Sequence, residues 1–418
     1  MTGDRSGPLA DLRVIDMATL FAGPTIATLL ADFGADVIKI EHPRGDVQRT
    51  MGWQKSGESL LWTFLGRNKR SVTLDLHRSE AQAIVRELVG TADVLIENFR
   101  PGVLKQWNLD YESLRKVNPK IVVASVTMYG QTGPYRDRPG YGTLAEAMSG
   151  FTYLNGHPDN PPTLPPFALA DSVAGLFGVA AIMFALHWRD RTPTRPGQHI
   201  DLSLYEPLFW LLGPLASTYQ QLNVVPQRQG NEAVFAAPRN VHKTKDMRWV
   251  AVSASATSSA ISLMKMVGAS HVVNEPWFES NDGRVQHRAQ LDPIVASWIA
   301  ERNLDEVMEE AVRNDVALAP IYSIEDIFKD PQYRARETIT TVLDEILGPV
   351  AMQNVVPKFS ATPGNVRHTG PKLGEHNEEV LIQELGHSPH EFADWVAQGI
   401  VAKPRADDSQ SGEQTHEC

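Results

Sequence analysis

The sequence predicts an α/β protein: a large, doubly wound, Rossmann-like domain around a parallel sheet, joined to a smaller α+β domain. Three observations carry this reading. Apolar strand-like runs alternate with helical ones from Leu12 to Val126. The texture changes to shorter, mixed elements between about Arg228 and Tyr322. The length of 418 residues exceeds what one compact core usually holds.

Taken in order, residues 12–17 read as a strand, 23–33 as a helix and 34–41 as a second strand, which makes one βαβ unit. Residues 67–71 read as a basic loop before a strand at 72–76, residues 79–89 as a helix, and 92–97 and 120–126 as further strands. Residues 172–188 carry no formal charge and hold small side chains at Ala174, Gly175, Gly178, Ala180 and Ala181, so they read as a buried helix packed closely against its neighbours. A polar, Pro-rich turn at 189–197 leads to a strand at 199–204. In the second region, 249–253 reads as a strand and 304–312 as a helix. The boundaries that follow are 1–225 for the large domain, 226–325 for the small one, 326–400 for a return to the large domain, and 401–418 for a polar, disordered tail.

Composition narrows the function. A net charge of −11 argues against a nucleic-acid partner, because phosphate backbones need a basic surface. The single cysteine, Cys418, rules out a disulfide framework, a cysteine nucleophile and a zinc–cysteine site. The scattered histidines lack ligand spacing, so no metal is expected. No G-x-S-x-G elbow is present. Glu41 could end a dinucleotide-binding βαβ unit, but residues 18–23 supply one glycine where that fingerprint needs three. The polar start at 1–7 and the small residues of the apolar run predict a soluble, cytoplasmic protein with no membrane partner.

Asp171 is the most informative residue, set where the long uncharged run begins. One reading makes it a cap for the first free N–H groups of the helix. The other makes it a carboxylate nucleophile held against an apolar wall. Arg67, Lys69 and Arg70, with Arg44, Arg49 and Arg100, form either a phosphate-binding cluster or a solvated surface run. Loops 98–102 and 129–142 follow parallel strands, where α/β folds place their sites, and together with the cations suggest an anion-binding cleft.

These stretches resemble the family III CoA-transferases, the group containing formyl-CoA and carnitine CoA-transferases, with α-methylacyl-CoA racemase as a relative. The matching pieces run in family order from residue 9 to about 386 and include Ala22-Gly23-Pro24, Asn68-Lys69-Arg70-Ser71, Glu97-Asn98-Phe99-Arg100-Pro101-Gly102, Gly130-Gln131-Thr132-Gly133-Pro134, Ala170-Asp171-Ser172 and Leu373-Gly374-Glu375-His376.

The resemblance implies a CoA-transferase in which Asp171 attacks an acyl-CoA, forming a mixed anhydride and then an aspartyl-CoA thioester. It implies CoA contacts near His42, Leu74, His77, Asn98, Phe99, Gln106 and Arg138, with Arg44, Arg100 and Lys105 as further cations. It places Phe21, Tyr141 and Gly142 at the acyl site. Phe21 and Gly142 replace a glutamine and an acid of formyl-CoA transferase, and with Trp53 and Trp62 nearby they predict an acyl group larger than formyl. Acyl-CoA and a carboxylic acid are the implied substrates, no tightly bound cofactor is needed, and the family's interlocked homodimer is the implied assembly. A racemase-like epimerase is the rival reading, although Tyr141 stands where that enzyme has its histidine. A non-catalytic acyl-CoA binding protein is a further alternative.

Overall fold

In a computed structural model, described over residues 6–403, the chain forms two compact units. The first takes in the chain up to Phe151, Pro165–Gly213 and Glu337 onward; the second takes in Thr152–Leu164 and Pro214–Arg336. Most of the polar tail expected at 401–418, with Cys418, lies outside the described residues.

A six-stranded parallel sheet organises the first unit: β1 (Arg13–Asp16), β2 (Asp36–Glu41), β3 (Lys69–Thr73), β4 (Val94–Glu97), β5 (Val122–Thr127) and β6 (His199–Ser203). Their order across the sheet is β3-β2-β1-β4-β5-β6. Strands buried on both faces need apolar side chains at consecutive positions. Accordingly Val14, Val37, Val94 and Ala124 enter one apolar cluster, while their neighbours Ile15, Ile38, Leu95 and Val123 enter another on the opposite face.

Six helices matter for the site: α1 (Ala22–Asp32), α2 (Ser79–Gly90), α3 (Tyr111–Val117), α4 (Gly142–Met148), α5 (Leu169–Arg191) and α6 (Tyr205–Leu211). Residues of α1, α4 and α5 join the Val14 cluster, and those of α2 and α3, with Val380, Leu381 and Phe392, join the other. Helix α5 closes on α1 because its glycines permit it: a Cβ added at Gly178 would lie 2.3 Å from Ile26 Cδ1, and one at Gly175 would lie 2.7 Å from Thr25 Cγ2.

Three sequence expectations are corrected. The strand placed at 72–76 runs from Lys69 to Thr73, because its leading lysine is buried and paired rather than solvated. Helix α5 begins at Leu169, which puts Asp171 in its first turn. That helix is also not buried all round. Ala174, Ile182 and Leu186 face the core, whereas Leu176 (60% exposed), Phe184 (74%) and Trp188 (49%) form a row at helical spacing on the other side. Its 23 residues are long and apolar enough, by length and composition, to cross a bilayer. Its packing on α1 and in the apolar cluster shows it serving as a core helix.

The second unit carries a three-stranded antiparallel sheet with Trp249–Ser253 in the middle, flanked by Arg239–Lys243 and Leu318–Pro320. Val250, Leu263, Leu291 and Val307 fill its core.

Candidate active site

The chain leaves β1 and β4 in opposite directions across the sheet, which opens a crevice at their C-terminal ends. Asn98, just after β4, clasps the two loops that border it. Its Oδ1 accepts from the Thr19 N–H at 2.8 Å, and its Nδ2 donates to the Thr19 carbonyl at 2.8 Å. Glu97 fixes the start of the second loop by accepting from the Phe99 N–H at 2.8 Å. Burial, with a contribution from the charge of Asp201, pushes the Glu97 carboxyl up to about 7.

The loop after β1 is braced from beneath by buried charges. Asp16 Oδ1 accepts from the Ala18 N–H, and Lys69 Nζ donates to Asp16 Oδ2 at 2.9 Å and to the Pro24 carbonyl at 2.9 Å. Lys39 donates to the Ala18 carbonyl and pairs with Asp46 at 3.1 Å. Burial alone would pull the Lys39 ammonium down, but Asp16, Asp46 and Glu41 around it hold it above its ordinary range. Gln48 donates to the carbonyl of Leu20, which adopts a left-handed φ of 65°. For a leucine that conformation costs on the order of 1–3 kcal/mol, so the surrounding bonds must enforce it.

A cavity of about 250 Å³ opens above these loops, lined among others by Leu20, Asn98, Arg138, Tyr141 and Asp171. Asp171 reaches it from the first turn of α5. The first N–H groups of that helix, which lack partners within it, are accounted for. Glu146 Oε1 accepts from the Leu169 N–H at 3.1 Å and from the Ala170 N–H at 3.2 Å. The cap expected of Asp171 is therefore supplied by Glu146, a buried acid on α4. Burial first, and the Glu146 charge second, push the Asp171 carboxyl up to about 6, which still leaves it ionised at neutral pH. Gly142 makes room for it: a Cβ there would lie 1.8 Å from Asp171 Oδ2.

Asn98, Phe99, Arg100, Arg138, Tyr141 and Asp171 all line this one cavity. Arg138 lies 3.7 Å over the Tyr135 ring. Lys105 lines a neighbouring cavity of about 320 Å³ that shares Phe99 and Arg100 as a wall. His42 and His77 converge on Asp75 at the ends of β2 and β3, at 3.8 and 2.9 Å. Burial lowers the His42 pKa. Trp107 stands edge-on between His77 and Phe99 and makes them one aromatic ridge. Arg44 and Gln106 are exposed.

Other expected positions differ. The Leu74 side chain is buried in the core, so only its backbone can meet a ligand. Phe21 is half-buried, and Leu20 and Ala22 line the cavity instead of it. Trp62 is buried beneath the Arg49 guanidinium, and Trp53 is exposed and does not line the cavity. Four members of the basic cluster are not open to a phosphate, because they are paired within the fold: Arg67 with Asp32 at 2.6 Å, Arg70 with Asp36 at 2.7 Å, Lys69 with Asp16 at 2.9 Å, and Arg49 with Glu41 at 2.7 Å. Among the described residues no group of three or more His, Cys, Asp or Glu is placed to hold a metal.

The family model for CoA-transferase family III matches residues 9–377. The chain belongs to this family. It is accordingly an enzyme, a CoA-transferase. It is 38% identical over 396 residues to the succinyl-CoA–D-citramalate CoA-transferase of Chloroflexus aurantiacus, covering 94% of this chain and 98% of that one. It is 40% identical over 399 residues to the beta subunit of the succinyl-CoA–L-malate CoA-transferase of the same organism, with the same coverage. A solved CAIB/BAIF family protein from Brucella suis superposes with a TM-score of 0.79 at 33% identity, covering 90% of this chain and 99% of that one. Within this CoA-transferase, two residues escaped the sequence reading. Glu146 was a lone acid between Ala145 and Ala147, and Lys39 a lone cation between Ile38 and Ile40. A charge inside an apolar run was the available signal in both cases.

Proposed function

We propose that this chain moves CoA from an acyl-CoA to a carboxylic acid with Asp171 as the covalent nucleophile. The observation that carries this reading is an ionised carboxylate, raised to about 6, in the wall of a cavity at the carboxyl edge of the sheet. An Asp171 oxygen attacks the thioester carbonyl carbon; the C–O bond forms, the C–S bond breaks, and the negative charge passes from the carboxylate to the thiolate. The thiolate then attacks the aspartyl carbonyl, expels the acyl group as a carboxylate, and leaves an aspartyl-CoA thioester. The acceptor carboxylate takes the CoA by the same two steps in reverse. No net proton transfer is required, and the site's task is to bind, orient and exclude water.

In this reading His42, Arg44, His77, Asn98, Phe99, Arg100, Lys105, Gln106 and Arg138 hold CoA along the sheet edge, with Leu74 contributing through its backbone. Leu20 and Tyr141 border the acyl group, and Gly142 keeps the nucleophile's space clear. Tyr141 favours transfer over α-proton exchange, since a phenol is a weaker base than an imidazole at neutral pH. The names of the Chloroflexus relatives point to succinyl-CoA as the donor and a dicarboxylic acid as the acceptor. Arg100, Arg136 and Arg138 at the cavity supply cations suited to a second carboxylate and to the CoA phosphates. A homodimer is supported by the outward apolar row of α5, and the cytoplasm is the natural compartment for dissolved CoA thioesters.

The test is mass spectrometry after incubation with succinyl-CoA and no acceptor. A CoA adduct is expected on the peptide containing Asp171, discharged by added malate or citramalate and absent in Asp171→Ala. An adduct on another residue, or undiminished transfer by Asp171→Ala, would overturn the assignment.

A further inference from the structure

The Glu146 carboxylate serves more than the helix end. A helix N-terminus favours an anion placed on its free N–H groups, and Asp171, in the first turn, would be the natural recipient. Glu146 takes two of those groups with a single oxygen. It sits one helical turn beyond Gly142, the residue whose backbone lies against the Asp171 carboxylate, so α4 carries Glu146 and, one turn earlier, meets the Asp171 side chain of α5. Glu146 is only 3% exposed, so solvent screens the pair weakly.

Other ionisable groups approach from the elements packed around the pair. Tyr129, Arg100, Arg136, Arg138 and Tyr141 line the cavity, and α6 carries Tyr205 and Glu206. The charge that raises the Asp171 carboxyl is that of Glu146 and not one of these.

We infer that Glu146 is a positioning residue that sets the reactivity of Asp171, taking the helix N-terminus for itself and confronting the nucleophile with a like charge that acylation removes. This rests on the reading of Asp171 as nucleophile. The charge balance makes the effect directional. When Asp171 bonds the acyl carbon, its negative charge leaves with the thiolate sulfur and the like-charge repulsion from the buried Glu146 is relieved. When the acyl or CoA group departs, the repulsion is restored. Glu146 thus raises the free carboxylate relative to both covalent intermediates, and a more basic carboxylate is also the better nucleophile.

The deciding variant is Glu146→Gln. Its amide oxygen can still accept from Leu169 and Ala170, so the helix start and the shape are kept while the charge is lost. The rate of Asp171 adduct formation with succinyl-CoA, quenched and read by peptide mass spectrometry, is measured from pH 4.5 to 8. In the unmodified protein the rate should rise with a midpoint near 6, where Asp171 ionises. In Glu146→Gln the midpoint should move down by at least about half a pH unit, and the plateau rate should fall by about threefold to tenfold. Glu146→Ala, which also loses the cap, should show the same downward shift together with a lower melting temperature. An unchanged midpoint and plateau in Glu146→Gln, with an intact adduct on Asp171, would overturn the inference and leave the nucleophile standing. Absence of any Asp171 adduct in the unmodified protein would overturn both.

Discussion

Replacing Asp171 by asparagine should make the protein more stable at pH 8, because the folded state bears a cost for holding this carboxylate ionised. The carboxyl is pushed from its ordinary 3.8 up to about 6, a rise of about 2 units. At about 1.36 kcal/mol per unit this corresponds to about 3 kcal/mol, and solvent reaching the cavity mouth reduces it to about 1–2 kcal/mol. The sign follows from proton linkage. Between pH 3.8 and about 6 the folded state binds more proton than the unfolded one, so the stability given by the protonated carboxyl is present below 3.8 and is lost as pH rises through about 6. The amide of the Asp171→Asn variant does not titrate and has no such loss. Its advantage should be fully present at pH 8, shrink as pH falls below about 6 and vanish near pH 4. For a unit of this size the gain corresponds to an increase of about 2–6 °C in melting temperature, readable by scanning calorimetry at matched ionic strength. A lower melting temperature for Asp171→Asn at pH 8, or a gain of the same size at pH 4, would refute the reasoning.

Gly142→Ala places a methyl group where Asp171 Oδ2 now lies, 1.8 Å away. Transfer should fall by at least about 100-fold with little change in melting temperature, measured as kcat/KM with succinyl-CoA, since a displacement of about 1 Å at the reacting atom is that costly. The homodimer reading predicts a sedimentation mass of two chains, and Phe184→Glu with Trp188→Glu should shift it to one chain while the circular dichroism stays unchanged.

Much of the candidate site was legible because its chemistry depends on loops that follow strands, and strand endings are local signals. Chain position singled out the loops that hold Asn98 and Arg138 and the helix start that holds Asp171, the family resemblance named the two loop residues themselves, and all three line one cavity. The basic stretch at 67–71 misled because charge in a sequence suggests solvent. A buried lysine or arginine looks the same on the page as an exposed one until its carboxylate partner, here at a separation of 53 residues for Lys69 and Asp16, is brought beside it. Glu146 escaped for the same reason, since its partners Leu169 and Ala170 offer backbone N–H groups that no side-chain identity reveals.

By itself the sequence determined the parallel sheet, through short apolar runs that alternate with helical ones, and singled out Asp171 as an acid at the start of an uncharged helix. Only the tertiary structure decided which acid caps that helix, which cations are free to meet a ligand, and that Leu20 rather than Phe21 borders the cavity. Those outcomes depend on distances between residues far apart in the chain, and burial and pairing, unlike periodicity, are set by the partner and not by the residue itself.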